Sequence, residues 1–312
     1  MTLDEIVAFM AVVRLRSLSQ AAESLGLTQP AITRRLQNLE ESLGAQLLDR
    51  HTKPLSVTAI GQRAYDQCRV VMTDLEILRN LTTLDNAPKG DVHIGVVQTV
   101  ADVALKESLA VLHRQFPQLT PRISTGWGPH LLERLDKGQL DAVVMLMPAD
   151  QKPPDAWIAR RFGRLQLTVV GKRSVGEPSA HSLADCQAAG WVLNTDGCGF
   201  RAGLQQRLKG LGLPIRINIE TAGVELQLQL VASGAGYGLV PLILLRKSAY
   251  AEQLEALSID GFEPFVDIWL LSSKSLGTLS TPVDCFGASV GELFERAQDK
   301  LLPSELERVR IA

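Results

Sequence analysis

The sequence predicts a helical N-terminal segment with a short hairpin, one long connecting helix and a larger α/β domain. Apolar residues recur at helical spacing over much of the first sixty residues. From residue 62 neither glycine nor proline interrupts the chain until Pro88. Beyond Gly90, apolar runs bounded by turn residues alternate with helical segments. That alternation predicts a mostly parallel sheet covered by helices on both faces.

The first two helices are predicted from their apolar spacing and from small residues. The first carries Leu3, Ile6, Val7, Met10 and Val13. The second covers about residues 18–25, where Ala21 and Ala22 permit close packing against a neighbour. Gly26 then breaks it, so a tight turn precedes the next helix.

A third helix is predicted from the stretch TQPAITRR, residues 28–35. Thr28 is a suitable N-cap, and Pro30 falls in the first turn, where a missing N–H costs nothing. At 100° per residue one stripe is apolar and is expected to be buried; it consists of Ile32, Leu36, Leu39 and Leu43. The opposite face is polar and consists of Gln29, Pro30, Thr33, Arg34 and Gln37.

These polar groups suit the base edges and phosphates of a DNA major groove. Helix, glycine turn and helix with a polar outer face form a helix-turn-helix pattern. The alternative on this stretch alone is a solvated amphipathic helix. Net charge does not decide between them, because the whole chain is at −2 and the first sixty residues are balanced.

The segment after Gly44 favours the DNA-binding interpretation. In LLDRHTKPLSVTAIG, β-forming residues flank Arg50, His51, Lys53 and Pro54. This pattern predicts a two-stranded wing with Arg50 and Lys53 near its tip. Such a wing would lie along the phosphate backbone or the minor groove of double-stranded DNA.

The connecting helix carries a repeat of about 3.5 residues. Its members are Ala64, Cys68, Val71, Leu75 and Leu78, followed by Leu81 and Leu84. A seam of this kind predicts a homodimer formed through a coiled coil. Packing of the seam on its own domain is the alternative, since the repeat covers only about two heptads.

Strand-to-helix junctions in the α/β part are candidate ligand sites. Ligands bind at the carboxyl ends of strands in such folds, and helix N-termini offer free N–H groups to anions. In GVVQT, Thr99 is a candidate cap for a helix over 100–115, and in STGWGP, Pro129 suits a first turn. NTDGCGFR follows a third strand. Ordinary caps and loops are the alternative at these junctions.

We expect a small organic acid in the cleft that these junctions form, with an aromatic ring favoured by Trp127 and Phe200 nearby. Its carboxylate is expected near Thr99 and Gly126. The candidate effector-binding residues are Gln98, Thr99, Val100, Thr125, Gly126, Trp127, Met147, Asn194, Cys198, Phe200, Thr221 and Gly223.

Other function classes find little support in the residues. No nucleophile elbow, H-E-x-x-H, P-loop or recognisable carboxylate pair is present, so an enzyme is not expected. Four cysteines and five histidines are dispersed, which argues against a disulfide framework and a metal site, and no cofactor is expected. No apolar run of about eighteen residues occurs and the N-terminus lacks a basic leader, so a cytoplasmic protein is expected.

Residues 17–61 closely resemble the winged helix-turn-helix of LysR-type transcriptional regulators. The matching positions, in order and spacing, are Ala21, Ala22, Leu25, Gln29, Pro30, Ala31, Arg34, Leu39, Glu40, Leu43, Gly44, Leu47, Arg50, Thr58 and Gly61. GQLDAVV at 138–144 and LVASGAGYGLVP at 230–241 are similar to segments of that family's effector domain. Thr33, Leu48 and His51 depart from the usual serine, phenylalanine and threonine, which leaves the operator sequence open.

The resemblance implies a winged helix-turn-helix at 1–60, a dimerising linker helix at 61–88 and an effector domain at 89–312. That domain would be similar to periplasmic binding proteins, with subdomain I at about 91–162 and 269–312 and subdomain II at about 163–268. The effector pocket would lie between the subdomains, and homotetramers are usual. The expected function is effector-modulated transcription regulation.

Two other functions are considered. Some members of the family are thiol-based redox regulators, and Cys198 lies near their reactive cysteine, but Gly199 occupies the matching position beside Phe200 and Arg201. No second cysteine follows within a dozen residues to resolve a sulfenic acid. A solute-binding transport protein is disfavoured by the DNA-binding segment.

Overall fold

The computed structural model of the chain describes residues 1–49, 55–80, 87–174, 180, 182–274 and 276–299. These residues fall into two compact units. The first comprises 1–86 with 137–139, and the second comprises 87–136 with 140–312. Within the described ranges, every helix is too short or too polar to cross a membrane.

The first unit is helical with a short hairpin, as predicted. Its elements are α1 (Leu3–Leu15), α2 (Leu18–Ser24), α3 (Gln29–Leu43), β1 (Leu48–Asp49), β2 (Ser56–Val57) and α4 (Ala59–Asn80). Thr28 caps α3, its hydroxyl accepting from the Ala31 N–H at 3.4 Å, and Pro30 lies in the first turn. Gly44 ends α3 with a left-handed φ of 63°. The third helix therefore begins at the predicted cap, Thr28, and ends at Gly44, as the sequence indicates.

The core of the first unit is formed where α1, α2 and α3 pack together. Phe9, Ile32, Leu36 and Leu39 are fully or almost fully buried in it. The prediction was wrong for Leu43, which is 44% exposed. It is the last residue of α3, so the helix ends before a neighbour covers that side chain.

The predicted seam on α4 has two different parts. Cys68 is buried in the core of the first unit and Ala64 packs against it. Further along, Val71 is 39% and Leu78 is 62% exposed, while Leu75 is half-buried. Leu81 and Leu84 lie outside the described residues. The first turns of the helix therefore pack on their own unit, and the later seam positions leave apolar surface uncovered.

The second unit is an α/β domain. Its elements are β3 (Gly90–Val97), α5 (Gln98–Gln115), β4 (Leu119–Gly126), α6 (Gly128–Asp136), β5 (Ala142–Pro148), β6 (Ile158–Lys172), α7 (Leu183–Ala189), β7 (Trp191–Asn194), α8 (Gly199–Gly210), β8 (Ile217–Thr221), α9 (Val224–Ala232), β9 (Gly238–Pro241), α10 (Leu242–Lys247), β10 (Leu254–Leu257), β11 (Phe265–Ser272) and α11 (Ser280–Asp299).

The larger sheet of this unit is mixed. β3 pairs in parallel with β4 and β5, whereas β11 is antiparallel to β5 and β6. The prediction of a mostly parallel sheet was therefore wrong for this part of the fold. Apolar runs mark where strands lie but not their direction, and β11 inserts between β5 and β6 and runs opposite to both. β7 and β8 form a separate parallel pair.

β6 is a long strand that changes partners along its length. Residues 158–166 pair with β11, and residues 167–172 pair with β9 and β10. The ladder between β6 and β11 shifts register between Ile268 and Trp269, opposite Gly163. β6 therefore joins two parts of the unit, with a bulge close to the change of partners.

Candidate functional site

The polar face of α3 is a continuous exposed surface. Gln29, Pro30, Arg34 and Gln37 are exposed and Thr33 is half-buried. These five predicted residues line one shallow depression together with Asn38 and Glu41. The last two were not among the predicted residues, although they fall one turn further along the same face.

Local hydrogen bonds decide which groups this surface presents. Ser19 Oγ donates to Gln29 Oε1 at 3.1 Å, which turns the Gln29 amide nitrogen away from that contact. Thr33 Oγ1 donates to the backbone oxygen of Gln29 at 3.0 Å. The Arg34 guanidinium has no partner among the described residues, so its five N–H donors face solvent. Arg35, in contrast, pairs with Asp4 at 3.0 Å.

The wing is present as the β1–β2 pair, with Leu48 opposite Val57 and Asp49 opposite Ser56. Its predicted cationic tip, with Arg50 and Lys53, lies outside the described residues. The five DNA-binding candidates on α3 thus lie on one surface. Arg50 and Lys53, the candidates on the wing, stay predictions.

A cavity in the second unit is surrounded by the ends of strands and the beginnings of helices. Its lining consists of Val97, Gln98, Thr99, Asp102, Gly126, Trp127, Gly128, Met145, Leu146, Asn194, Gly197, Cys198, Gly199, Phe200, Gly223 and Val224. About 570 Å³ of unfilled space, including the mouth, lies within this lining. The cavity therefore has room for a small ligand.

Four helices begin at this cavity. The N-terminal residues of α5, α6, α8 and α9 all belong to its lining. Val97, Cys198 and Gly223 are the N-caps of α5, α8 and α9, and none makes a side-chain capping hydrogen bond. Unsatisfied N–H groups at a helix N-terminus favour a negative charge by about 0.3–1 kcal/mol per helix when exposed.

One acid opposes this field. Asp102, an exposed residue one turn into α5, carries the only full charge among the described lining residues. Its Oδ1 accepts from Gln98 Nε2 at 2.7 Å, which ties it to the beginning of the helix. An exposed carboxylate acts through water, where even a 4 Å separation gives only about 1 kcal/mol. The four helix N-termini on the lining together contribute more than this repulsion, so Asp102 alone does not exclude a negatively charged ligand.

Eight of the twelve predicted effector residues are brought together. They are Gln98, Thr99, Gly126, Trp127, Asn194, Cys198, Phe200 and Gly223. The other four are not on the lining. Val100 is fully buried in the main core, and Thr125 precedes Gly126 on β4, so its side chain points to the other face. Met147 packs in a separate apolar cluster, and Thr221 is buried at the end of β8.

The role predicted for Thr99 as a helix cap was wrong. β3 passes directly into α5, so Val97 is the N-cap and Thr99 lies inside the first turn. The Thr99 side chain is buried beside the cavity and makes no hydrogen bond among the described residues. Its hydroxyl is therefore available to a ligand.

Eight lining residues were missed. Most are glycines or direct neighbours of predicted residues, and Asp102 stands four positions after Gln98, on the same helix face. Met145 and Leu146 belong to β5, which has no junction signal in the sequence. No pattern in the sequence distinguishes them from core residues.

Trp127 and Asp196 connect the two sides of the cavity. Trp127 Nε1 donates to the backbone oxygen of Asp196 at 2.7 Å. The first residue precedes α6 and the second lies in the loop before α8. The half-buried indole ring is thus tied to the loop at residue 196, and it lines the cavity together with Phe200.

Cys198 also lines the cavity, and its chemistry is that of a neutral thiol. Burial raises the pKa of the Cys198 thiol, and the backbone N–H groups of Arg201 and Phe200 and the Arg201 charge oppose this only in part. At the neighbouring position, a Cβ on Gly199 would lie 2.3 Å from the backbone oxygen of Leu146. The backbone of β5 therefore leaves no room for a side chain at residue 199.

Comparison with known proteins identifies the family. Residues 3–62 match the bacterial regulatory helix-turn-helix protein, lysR family, and residues 85–293 match the LysR substrate binding domain. The chain belongs to the LysR family of transcriptional regulators. It is therefore a DNA-binding regulator with an effector-binding domain, and its polar α3 surface and its cavity fall in the two matched regions.

Relatives of this LysR-type regulator differ in their described roles. The DNA-binding transcriptional dual regulator OxyR of Escherichia coli K12 is 28% identical over 78% of this chain and 80% of that protein. The HTH-type transcriptional regulator EstR of Acinetobacter baylyi is 27% identical over 73% of this chain and 75% of that protein. Full-length OxyR from Pseudomonas aeruginosa shares the fold, with a TM-score of 0.71 at 19% identity over 93% and 94% of the chains.

Proposed function

We propose that this regulator changes its activity at a promoter when a small organic acid binds in the cavity of the α/β unit. The observation that carries the proposal is the convergence of four helix N-termini on a cavity with no cationic side chain among its described lining residues. Backbone N–H groups at helix N-termini bind anions, and a single carboxylate suits a cavity whose described lining carries no cationic side chain.

The shape of the cavity supports an acid with a compact apolar body. Trp127, Phe200 and Met145 supply apolar wall, and Thr99 supplies a free hydroxyl next to the N-terminus of α5. We expect the carboxylate near Thr99 and Gly126 and the ring or chain against Trp127. An aromatic acid is favoured. If Trp127 serves only to hold the 196 loop through its hydrogen bond, small aliphatic acids bind best.

Isothermal titration of the full-length protein with aromatic and aliphatic acids tests the proposal. Their amides serve as neutral controls of the same shape. Acids are expected to bind and the amides to bind at least about tenfold more weakly, equivalent to 1.4 kcal/mol. Binding confined to neutral or cationic compounds would refute the acid. Footprints on promoter DNA with and without the bound acid then test whether it favours one conformation.

The remaining assignments are part of the same proposal. We assign residues 1–60 to DNA binding, 61–88 to the linker and 89–312 to effector binding, with the division between subdomains at 163 and 268. The change of partners along β6 and the register shift beside Ile268 support that division. Exposed Val71 and Leu78 support a dimer through α4, and a homotetramer acting in the cytoplasm on promoter DNA is the expected assembly.

Thiol-based regulation is the second candidate, because Cys198 lies in the cavity wall at the N-cap of α8. Some relatives are hydrogen peroxide-inducible genes activators, for example that of Dickeya chrysanthemi, 25% identical over 77% of this chain and 79% of that protein. The raised pKa of the Cys198 thiol weighs against it, since the thiolate is the reactive form. Peroxide-dependent DNA binding that is lost in Cys198→Ser would favour this candidate over the acid.

A further inference from the structure

A buried pair of amides determines what one wall of the cavity presents to a ligand. Asn194 ends β7, lines the cavity and is 6% exposed, and Gln227 lies behind it in α9 with no exposure. Asn194 Nδ2 donates to Gln227 Oε1 at 3.1 Å. The oxygen and nitrogen of an amide side chain are assigned from the hydrogen bonds around them, so the surroundings of Gln227 decide both orientations.

Two backbone carbonyls fix Gln227. Its Nε2 donates to the backbone oxygen of Val192 at 2.8 Å and approaches that of Leu239 at 3.5 Å. Carbonyl oxygens only accept, so turning the amide over would set its oxygen against both of them in a fully buried site. Leaving such groups unpaired in a buried site is strongly unfavourable. The Gln227 oxygen must therefore face Asn194.

The orientation of Asn194 follows from that of Gln227. The Gln227 oxygen, an acceptor, lies behind Asn194, so the Asn194 amide nitrogen must point toward it. The Asn194 oxygen cannot take that place, because two acceptors would then face each other. Among the described residues no donor reaches Asn194 Oδ1, although the side chain is almost wholly buried at the cavity. Asn194 Oδ1 is thus an acceptor that is open to the cavity and has no protein donor among the described residues, whereas the helix N-termini around the cavity are donors.

We infer that the ligand carries a hydrogen-bond donor, a hydroxyl or an amine, that meets Asn194 Oδ1, and that Gln227 is the positioning residue that enforces this requirement. The inference rests on the proposed function for the rest of the ligand, because the helix N-termini then hold its carboxylate. The ligand class narrows from organic acids to hydroxy acids and amino acids, including hydroxybenzoates and aminobenzoates.

The first test uses matched compounds on the wild-type, full-length protein. Benzoate is compared by titration calorimetry with its 3- and 4-hydroxy, amino and methoxy derivatives, and butanoate with its 2-hydroxy, amino and methoxy derivatives. The best hydroxy or amino compound is expected to bind about fivefold or more tightly than its methoxy counterpart, since one net hydrogen bond contributes about 1 kcal/mol. Equal or tighter binding of the methoxy compounds throughout would overturn the inference. Comparison of the affinities of the hydroxy and amino derivatives shows which of the two hydrogen-bond donors the site prefers.

The second test separates positioning from simple stability. Gln227→Met frees the Asn194 amide to turn, so the ratio of hydroxy to methoxy affinity should fall toward one. Gln229→Met, on the exposed face of the same helix, should keep the wild-type ratio. A Gln227→Met protein that loses affinity for all compounds equally, with its ratio intact, would refute a positioning role. Should that variant fail to fold, Asn194→Leu removes the acceptor directly and must abolish the preference.

The neutral amides of the same compounds keep the two proposals apart. If amides bind as well as acids and hydroxyl-bearing amides bind best, the acid is wrong and the donor requirement stands. If acids alone bind and show no preference for a donor, the acid stands and the donor requirement is wrong. Absence of binding across the whole panel refutes both.

Discussion

Two adjacent arginines on α3 allow a sharp test of the DNA-binding surface. Arg34 is exposed on the polar face and has no partner among the described residues, whereas Arg35 faces α1 and pairs with Asp4 at 3.0 Å. Alanine at either position removes the same charge from the same helix. Any difference between the two variants therefore reports the position of the side chain and not the net charge of the domain.

The expected magnitudes differ for affinity and stability. Arg34→Ala should weaken binding to the operator by about 1–3 kcal/mol if the guanidinium reads a base edge, which is about 5- to 150-fold. Its free energy of unfolding should stay within about 0.5 kcal/mol of the wild type, because no hydrogen bond or ion pair with a described residue is lost. Arg35→Ala should lose up to about 1 kcal/mol of stability, the range of an exposed ion pair, and little operator affinity.

The assay is fluorescence anisotropy with two duplexes at one fixed salt concentration. One is the sequence that the wild-type protein selects from a random library, and the other is the same duplex scrambled. Arg34→Ala should lose affinity for the selected duplex and change little on the scrambled one. Equal losses on both duplexes would show a phosphate contact, and equal behaviour of the Arg34 and Arg35 variants would refute the assigned face.

Four further substitutions test the other proposals. Thr99→Val should weaken acid binding by about 2- to 12-fold, the value of one net hydrogen bond, without changing the melting temperature, and undiminished binding would place the carboxylate elsewhere. Leu78→Glu should shift the sedimentation coefficient toward the monomer, whereas Leu211→Glu, at an exposed apolar residue of the other unit, should not. Lys53→Ala should weaken binding to all duplexes alike and reduce the salt dependence by about one unit of slope, and a sequence-selective loss would contradict a phosphate contact. Cys198→Ser should keep the response to acid. In the wild-type protein, alkylation of Cys198 at pH 8, followed peptide by peptide, should be slower than that of a free cysteine, because burial raises the pKa of the Cys198 thiol.

The sequence predicted the helical unit well because its signals are local. The N-cap Thr28, the early Pro30 and the terminal Gly44 each act through their own backbone geometry, so they define α3 without reference to the rest of the chain. Leu43 was misassigned because helical periodicity says which face it occupies and not whether a neighbour reaches it. The same limit applies to Val71 and Leu78, where only a second molecule or a further segment decides burial.

In the effector unit, junction residues were predictable and strand orientation was not. Gly126, Asn194 and Gly223 stand at strand-to-helix junctions, which the sequence marks by apolar runs followed by turn residues. The long β6 with its two sets of partners depends on contacts between distant residues, such as Gly163 opposite Ile268. Tertiary pairing of this kind has no local signal, so the parallel arrangement was extended too far.

The polarity of the cavity comes mainly from the backbone, which explains why no binding motif is visible in the sequence. N–H groups at four helix N-termini are supplied by residues as unremarkable as Val97 and Gly223, whose side chains do not cap the helices. A sequence motif identifies side chains, so it does not reveal a site formed by backbone N–H groups. Asn194 is one side chain that adds to this polarity, because Gln227, fixed behind it by a backbone carbonyl, sets the orientation of the Asn194 amide. For the proposed acid ligand, backbone donors tolerate any carboxylate, so discrimination among acids must come from the few side chains on the wall. Relatives that keep the four helix N-termini and change the residues at 194 and 227 should therefore still bind acids and prefer different substituents on them.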